Sequence, residues 1–176
     1  MIVVLMPGST RQERTLTERG SVATETDDRA GVARQIVDNS SYLTLATADA
    51  DGRPWATPVW FTHDRYTDFL WVSRPDTRHS RNIAARPETA IVIFDSSAPV
   101  GTGQGVYLDA RAEQVPDAEV EPALAIFSAP HEAAGRAAWR LSDVTGPAQF
   151  RLYRARALRH ELLDKHDHRV RVDLGP

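Results

Sequence analysis

Between Tyr42 and Asp95 the chain repeats one device, a short apolar run closed by a polar turn, and this spacing constrains the fold more than any other feature. Tyr42, Leu43, Leu45 and Ala46 read as a strand that stops in Asp49-Ala50-Asp51-Gly52-Arg53-Pro54, whose Asp-Gly step suits a hairpin. Trp55 to Thr62 alternates bulky and small groups. His63 to Asp68 forms a second polar turn, and Phe69 to Val72 is apolar again. Three strands in a meander are expected. Asp76 or Thr77 can then cap a helix running to about Arg86, where Pro87 discourages continuation. A strand therefore delivers a helix N-terminus that carries Arg78, Ser80 and free backbone amides, an arrangement that favours an anion.

The flanking segments fill in a mainly β architecture. Ala30 to Asn39 places Val32, Ile36 and Val37 at helical spacing behind Asp27 and Asp28, which could cap that helix. Ala90 to Phe94 and Val106 to Glu113 read as strands. The glycine-rich Ser96 to Gly105 between them lacks a Gly-Lys-Ser/Thr ending and joins strand to strand, so it reads as a hairpin, not a phosphate loop. Asp117 to Ser128 should be an amphipathic helix, followed by a second short helix around Ala133 to Leu141. Phe150 to Leu158 and Glu161 to Leu163 close the chain as strands. About six strands linked by short turns, with no regular strand-helix-strand alternation, argue for a small antiparallel barrel.

Length and composition exclude several functions. With 176 residues the chain suits one domain, and Pro7 to Asp28, polar and without apolar period, reads as a flexible extension. The expected division is residues 1–28 as extension and 29–176 as the domain. The 21 Lys and Arg against 24 Asp and Glu leave a net charge of −3, which gives no argument for nucleic acid or an anionic membrane. No cysteine is present, so thiolate chemistry is excluded and redox chemistry needs a borrowed cofactor. Met1 to Met6 is too short for a signal-peptide core and nothing later approaches a membrane span, so a cytoplasmic location is expected. His160, His166 and His168 lack a paired ligand motif, so no metal site is expected, and no Gly-x-Ser-x-Gly elbow supports a serine hydrolase.

Asp51-Gly52-Arg53-Pro54, then Thr57-Pro58-Val59-Trp60, then Arg78-His79-Ser80-Arg81-Asn82-Ile83 ending at Arg86-Pro87 resembles the pyridoxamine 5'-phosphate oxidase-related flavin-binding split barrels over roughly Ala30 to Asp173. The resemblance implies a six-stranded antiparallel split β-barrel with flanking short helices, and a homodimer with FMN at the subunit interface. It implies that Thr57, Pro58, Val59, Trp60, Phe61 and Thr62 line the isoalloxazine, with Val72 and Ser73 on the next strand. Arg78, His79, Ser80 and Asn82 fall at the phosphate end, His79 where oxidases of this family usually carry lysine. Gln104 and Gly105 fall near a position that reaches the flavin ring. Thr57 and Thr62 stand where the vitamin B6 oxidase would be expected to carry an arginine and a lysine, which disfavours that substrate. The activity implied is hydride transfer from reduced nicotinamide or another organic donor to a small acceptor. Two alternatives share the fold: a reductase using the deazaflavin F420, and a non-catalytic module that binds or stores flavin or a tetrapyrrole.

Overall fold

Strict alternation makes β1 (Tyr42–Ala48), in which Leu43, Leu45 and Thr47 are buried and their neighbours face outward. A computed structural model describes residues 25–164 and 167–175. Helix α1 (Glu25–Asn39) precedes β1 and begins inside the stretch expected to be extension. Asp27 and Asp28 consequently lie within the helix instead of capping it, and residues 1–24 lie outside the described residues.

The turn after β1 is held by Asp49, whose Oδ1 accepts from the amides of Asp51 and Arg53 at 3.1 and 2.9 Å, and by Gly52 at φ +83°. That φ is the reason for glycine there. The chain returns as β2 (Pro54–Trp60), paired with β1 along its whole length. After Phe61 comes β3 (Thr62–Asp64), then β4 (Asp68–Ser73), helix α2 (Arg78–Ala85), β5 (Glu88–Phe94) and β6 (Gly105–Gln114). A 3-10 turn at Asp117–Glu119 leads into α3 (Val120–Ala133), followed by α4 (Leu141–Val144), β7 (Arg151–Leu163) and β8 (Arg169–Val172).

All strand pairs are antiparallel, in the order β2-β1-β5-β6-β7-β4-β3, with β8 also on β7. One residue, Phe61, separates β2 from β3 in the chain, yet these strands end opposite sides of the sheet. The sheet must therefore curl back on itself, and because β2 does not bond to β3 or β4 the barrel stays split. This is the expected mainly β split barrel, carrying eight strands among the described residues. The expected meander is split at Phe61: β1 pairs with β2 and β3 with β4, while the other side of β4 lies on β7, Val72 opposite Leu152, and not on β2. Turn residues specify that a chain reverses, not which strand it will lie beside. Pro58, which lacks an amide hydrogen, sits in the edge strand where such a residue is tolerated.

Two further expectations need correction. The helix expected around Ala133 to Leu141 is absent, because Gly135 at φ +68° ends α3 and the chain turns helical again only at α4, where Arg140 N donates to Asp143 Oδ2 at 2.8 Å. The two expected C-terminal strands are one. In β7 the register shifts between Arg159, opposite Asp109, and Ala157, opposite Ala110, leaving Leu158 as an exposed bulge.

The barrel interior packs Leu43, Leu45, Phe61, Phe69, Trp71, Ile91, Ile93 and Tyr153 against Ala33 and Val37 of α1 and Ile83 of α2. A second cluster lies outside the barrel, where Val120, Leu124 and Phe127 of α3 cover Leu70 and Leu152. Helix α2 is thereby pinned by the core on one face and left open on the other. Among the described residues no helix is long and apolar enough to cross a membrane.

Candidate functional site

Four residues after the end of β4, Thr77 occupies the N-cap of α2 with extended backbone, and its Oγ1 accepts from Ser80 N at 3.4 Å. Beneath this first turn lies a buried network. His79 Nε2 is 2.8 Å from Ser73 Oγ and 3.1 Å from Thr77 Oγ1, and Thr77 Oγ1 is 2.8 Å from Ser80 Oγ. His79 is 8% exposed, and burial holds its pKa below the ordinary histidine value. A ring held neutral and turned into the barrel does not replace a phosphate-gripping lysine. His79, expected at the phosphate end, is instead occupied with Ser73 and Thr77 in this buried network, and Ser80 joins it through Thr77.

The outer face of α2 carries the charge. Arg78, Arg81, Asn82 and Ala85 form one wall of an open cleft of about 410 Å³, and Asp49, Ala50 and Arg53 of the β1–β2 turn form the other. The guanidinium of Arg78 lies 4.6 Å over the ring of Trp55, an aromatic of β2. Asn82 Nδ2 donates to Thr47 Oγ1 at 3.0 Å, tying α2 to β1 behind the cleft. Asp49, Arg53, Trp55 and Arg81 were not among the expected site residues. Arg81 could have been found, since it follows Arg78 by three residues on a helix.

Strand β2 divides the residues expected to line a ring. Thr57 and Val59 pair with Leu45 and Leu43 and share their inward face, whereas Pro58 and Trp60 pair with Thr44 and Tyr42 on the outward one. The Trp60 indole is 5.0 Å from Phe127 and 4.3 Å from His131, packed under α3. Phe61 is buried in the barrel, Val72 packs with the α3 cluster, and Thr62 Oγ1 is buried without a hydrogen-bond partner. Gln104 Nε2 donates to Leu163 O at 3.4 Å, and Gly105 pairs with Phe94. Both lie at the Tyr42 end of the sheet, roughly 20 Å along the strands from the Asp49 turn. Arg78 and Asn82 are thus brought together at the cleft, while Trp60, Thr62, Gln104 and Gly105 are not brought there within one chain.

His160 Nε2 donates to Tyr66 O at 2.7 Å, and His166 lies outside the described residues.

The sequence from 31 to 160 matches the family model described as pyridoxamine 5'-phosphate oxidase. The chain belongs to the pyridoxamine 5'-phosphate oxidase family. Its relation to solved structures is one of fold. A heme binding protein from Mycobacterium smegmatis superposes with a TM-score of 0.65 at 21% identity, over 90% of this chain and 60% of that one. The chain therefore spans 60% of that protein's length. A protein related to general stress protein 26, from Clostridium acetobutylicum, gives 0.60 at 12% identity over 84% of this chain and 95% of that one. An F420 reductase gives 0.51 at 20% identity over 75% and 95%. No curated protein matches the sequence. Within the pyridoxamine 5'-phosphate oxidase family this member carries Thr57 and Thr62 on and after its edge strand, and an inward His79 at the start of α2.

Proposed function

We propose that this member of the family binds a phosphorylated flavin, FMN or the deazaflavin F420, beside β2 and α2, and uses it for two-electron transfer from reduced nicotinamide or another organic donor to a small acceptor. The observation that carries the reading is the juxtaposition of an edge strand with the arginine-lined start of a helix. Arg78 offers a bidentate guanidinium to a phosphate, and the first-turn amides of α2 point the same way along a favourable dipole. As the last strand of the sheet, β2 keeps unpaired backbone donors and acceptors on one side, which suit the polar rim of a flat heteroaromatic ring. The cofactor supplies the redox chemistry when bound. The chain binds, orients and partly shields it: Asn82 fixes α2 against β1, the His79 network fixes the helix start, and Trp60 and Phe61 anchor the end of β2 in two separate cores.

A homodimer completes the reading. The outward face of β2, β1 and β5 presents Ala46, Ala56, Ala90, Pro58 and Val92, flanked by Tyr42 at 60% and Phe94 at 50% exposure. An apolar sheet face of this kind calls for cover, and a second copy placed there would run alongside β2 and wall the ring site.

The absorbance spectrum of the purified protein, followed by anaerobic mixing with reduced nicotinamides, tests the activity. A yellow protein bleached by the donor supports the oxidoreductase. A yellow but unreactive protein indicates a flavin carrier, and a Soret band with hemin in the absence of flavin binding indicates a tetrapyrrole carrier, as the M. smegmatis neighbour's name suggests. In sedimentation, Val92→Asp should convert a wild-type dimer to monomer; a wild-type monomer would contradict the assembly.

A further inference from the structure

We infer that anion binding at the start of α2 draws a proton onto His79, so that the hold on a phosphorylated ligand strengthens as pH falls from 8 toward 6.5. This rests on the flavin-type reading above and adds how that site is regulated. His79 serves as a positioning residue, acting on the anion through the helix start.

The coupling begins at the cap. Thr77 Oγ1 donates to Arg74 O at 3.0 Å and accepts from Ser80 N at 3.4 Å, so its one hydrogen is already placed. It therefore meets the ring, 3.1 Å away, as an acceptor, and that puts a hydrogen on His79 Nε2. Ser73 Oγ, 2.8 Å from the same nitrogen, shares it. Nδ1 is then the bare nitrogen, and among the described residues no side chain or carbonyl holds it. A second proton can be added at Nδ1 from water without breaking any bond of the network.

In the unliganded chain that proton is disfavoured. Burial lowers the ring's affinity for it, and no neighbouring charge offsets the burial. On α2 itself, Arg78 and Arg81 belong to the open face. Between β4 and α2, Arg74 and Asp76 hold each other through two bonds of 3.1 Å. On β7, burial raises the pKa of the Tyr153 phenol and keeps it un-ionised, while Arg151 is occupied by the carbonyls of Gly146, Ala148 and Phe150. The buried residues of β1 and β6, on which α2 also packs, are uncharged. Across the cleft, the Asp49 and Asp51 carboxylates lie 4.0 and 2.8 Å from Arg53.

A bound phosphate reverses the balance. Seated on the first-turn amides, it lies two hydrogen bonds from the ring by way of Thr77, roughly 6 Å away. A phosphate monoester carries about −1.5 to −2 charges. At that distance and an effective dielectric of about 20, one such charge raises the ring's affinity for a proton by at least about tenfold. The positive end of α2, which opposes a charged ring, is itself answered by the phosphate.

Fluorescence titration of the full chain with FMN and with riboflavin at pH 6.5 and 8.0 tests this, using wild type and His79→Gln, whose amide can still donate to Ser73. Calorimetry in two buffers of different ionisation enthalpy counts the protons taken up. FMN should bind wild type at least threefold more tightly at pH 6.5 than at pH 8.0, with net proton uptake. Riboflavin, which lacks the phosphate, should bind equally at both, and FMN affinity in His79→Gln should not rise on acidification. Equal FMN affinity at the two pH values, a rise that survives in His79→Gln, or binding without proton uptake overturns the inference and leaves the flavin reading intact. Should thermal melting show that the variant does not fold, proton uptake by the wild type decides alone. Failure of FMN to bind, or binding no tighter than riboflavin, overturns the phosphate site and the inference together.

Discussion

His79 is the residue at which local pattern and spatial role diverge most. It follows Arg78 directly, but one step along a helix turns the side chain by about 100°, so His79 shares the buried face of Ile83 while Arg78, Arg81 and Ala85 share the open one. The 3.6-residue period therefore held the answer, whereas alignment to an Arg-Lys pair pointed the other way. Because burial depresses its pKa, folded His79 binds a proton less readily than an unfolded histidine near 6.5. The stability it confers is complete above that value and is lost as pH falls through the lower, folded one. His160 acts with the same sign, since its burial outweighs its bond to the Tyr66 carbonyl and the field of Asp173. Melting temperature should fall between pH 7 and pH 5, and His79→Gln should make that fall shallower; an identical pH profile in the variant would show that the ring is not held neutral. His79→Ala should cost about 1–3 kcal/mol in denaturant unfolding, as expected when a buried hydroxyl such as Ser73 loses its partner.

The β3–β4 hairpin exemplifies what could and could not be read at the level of elements. Its polar turn was legible, yet its geometry was not: Arg65 and Tyr66 both take positive φ, 47° and 59°, without glycine or asparagine to announce it. Tertiary contacts hold the turn, since Tyr66 donates to Asp38 of α1 at 3.0 Å and its carbonyl receives His160 of β7. Such contacts are invisible to a local reading. Arg65, exposed and bonded to the adjacent Asp64, is free to change. Arg65→Gly should be stabilising by about 0.5–1 kcal/mol in urea unfolding, as relief of left-handed strain exceeds the added chain entropy. A loss of stability would show that the turn is not strained at Arg65. The same distinction runs through the other elements. β1, β4, β5 and β6 were legible because alternation and turn residues are local, whereas the pairing of β4 with β7 and the bulge at Leu158 depend on partners about 80 residues away in sequence for the first and on barrel curvature for the second.

At the scale of the whole molecule, the curl that carries β3 to the far side of the sheet leaves β2 as an open edge, and α2 closes the barrel beside it. Fold and family were legible because several spaced motifs shared one architecture. The site was legible only in part, because which side chains of β2 and α2 face a ligand depends on how two cores, one inside the barrel and one under α3, claim the alternate residues. Trp60 and Phe61 went to those cores, while Arg81, Arg53 and Trp55 were left around the cleft. That cleft is the proposed anion-anchored flavin site. Its most direct test is a flavin-fluorescence titration of wild-type and Arg78→Ala protein with FMN. Saturable binding near one FMN per chain is expected, weakened about 10- to 100-fold in the variant, the range of a charge-assisted hydrogen-bonded pair. No binding by the wild type, or equal affinity in Arg78→Ala, would contradict it.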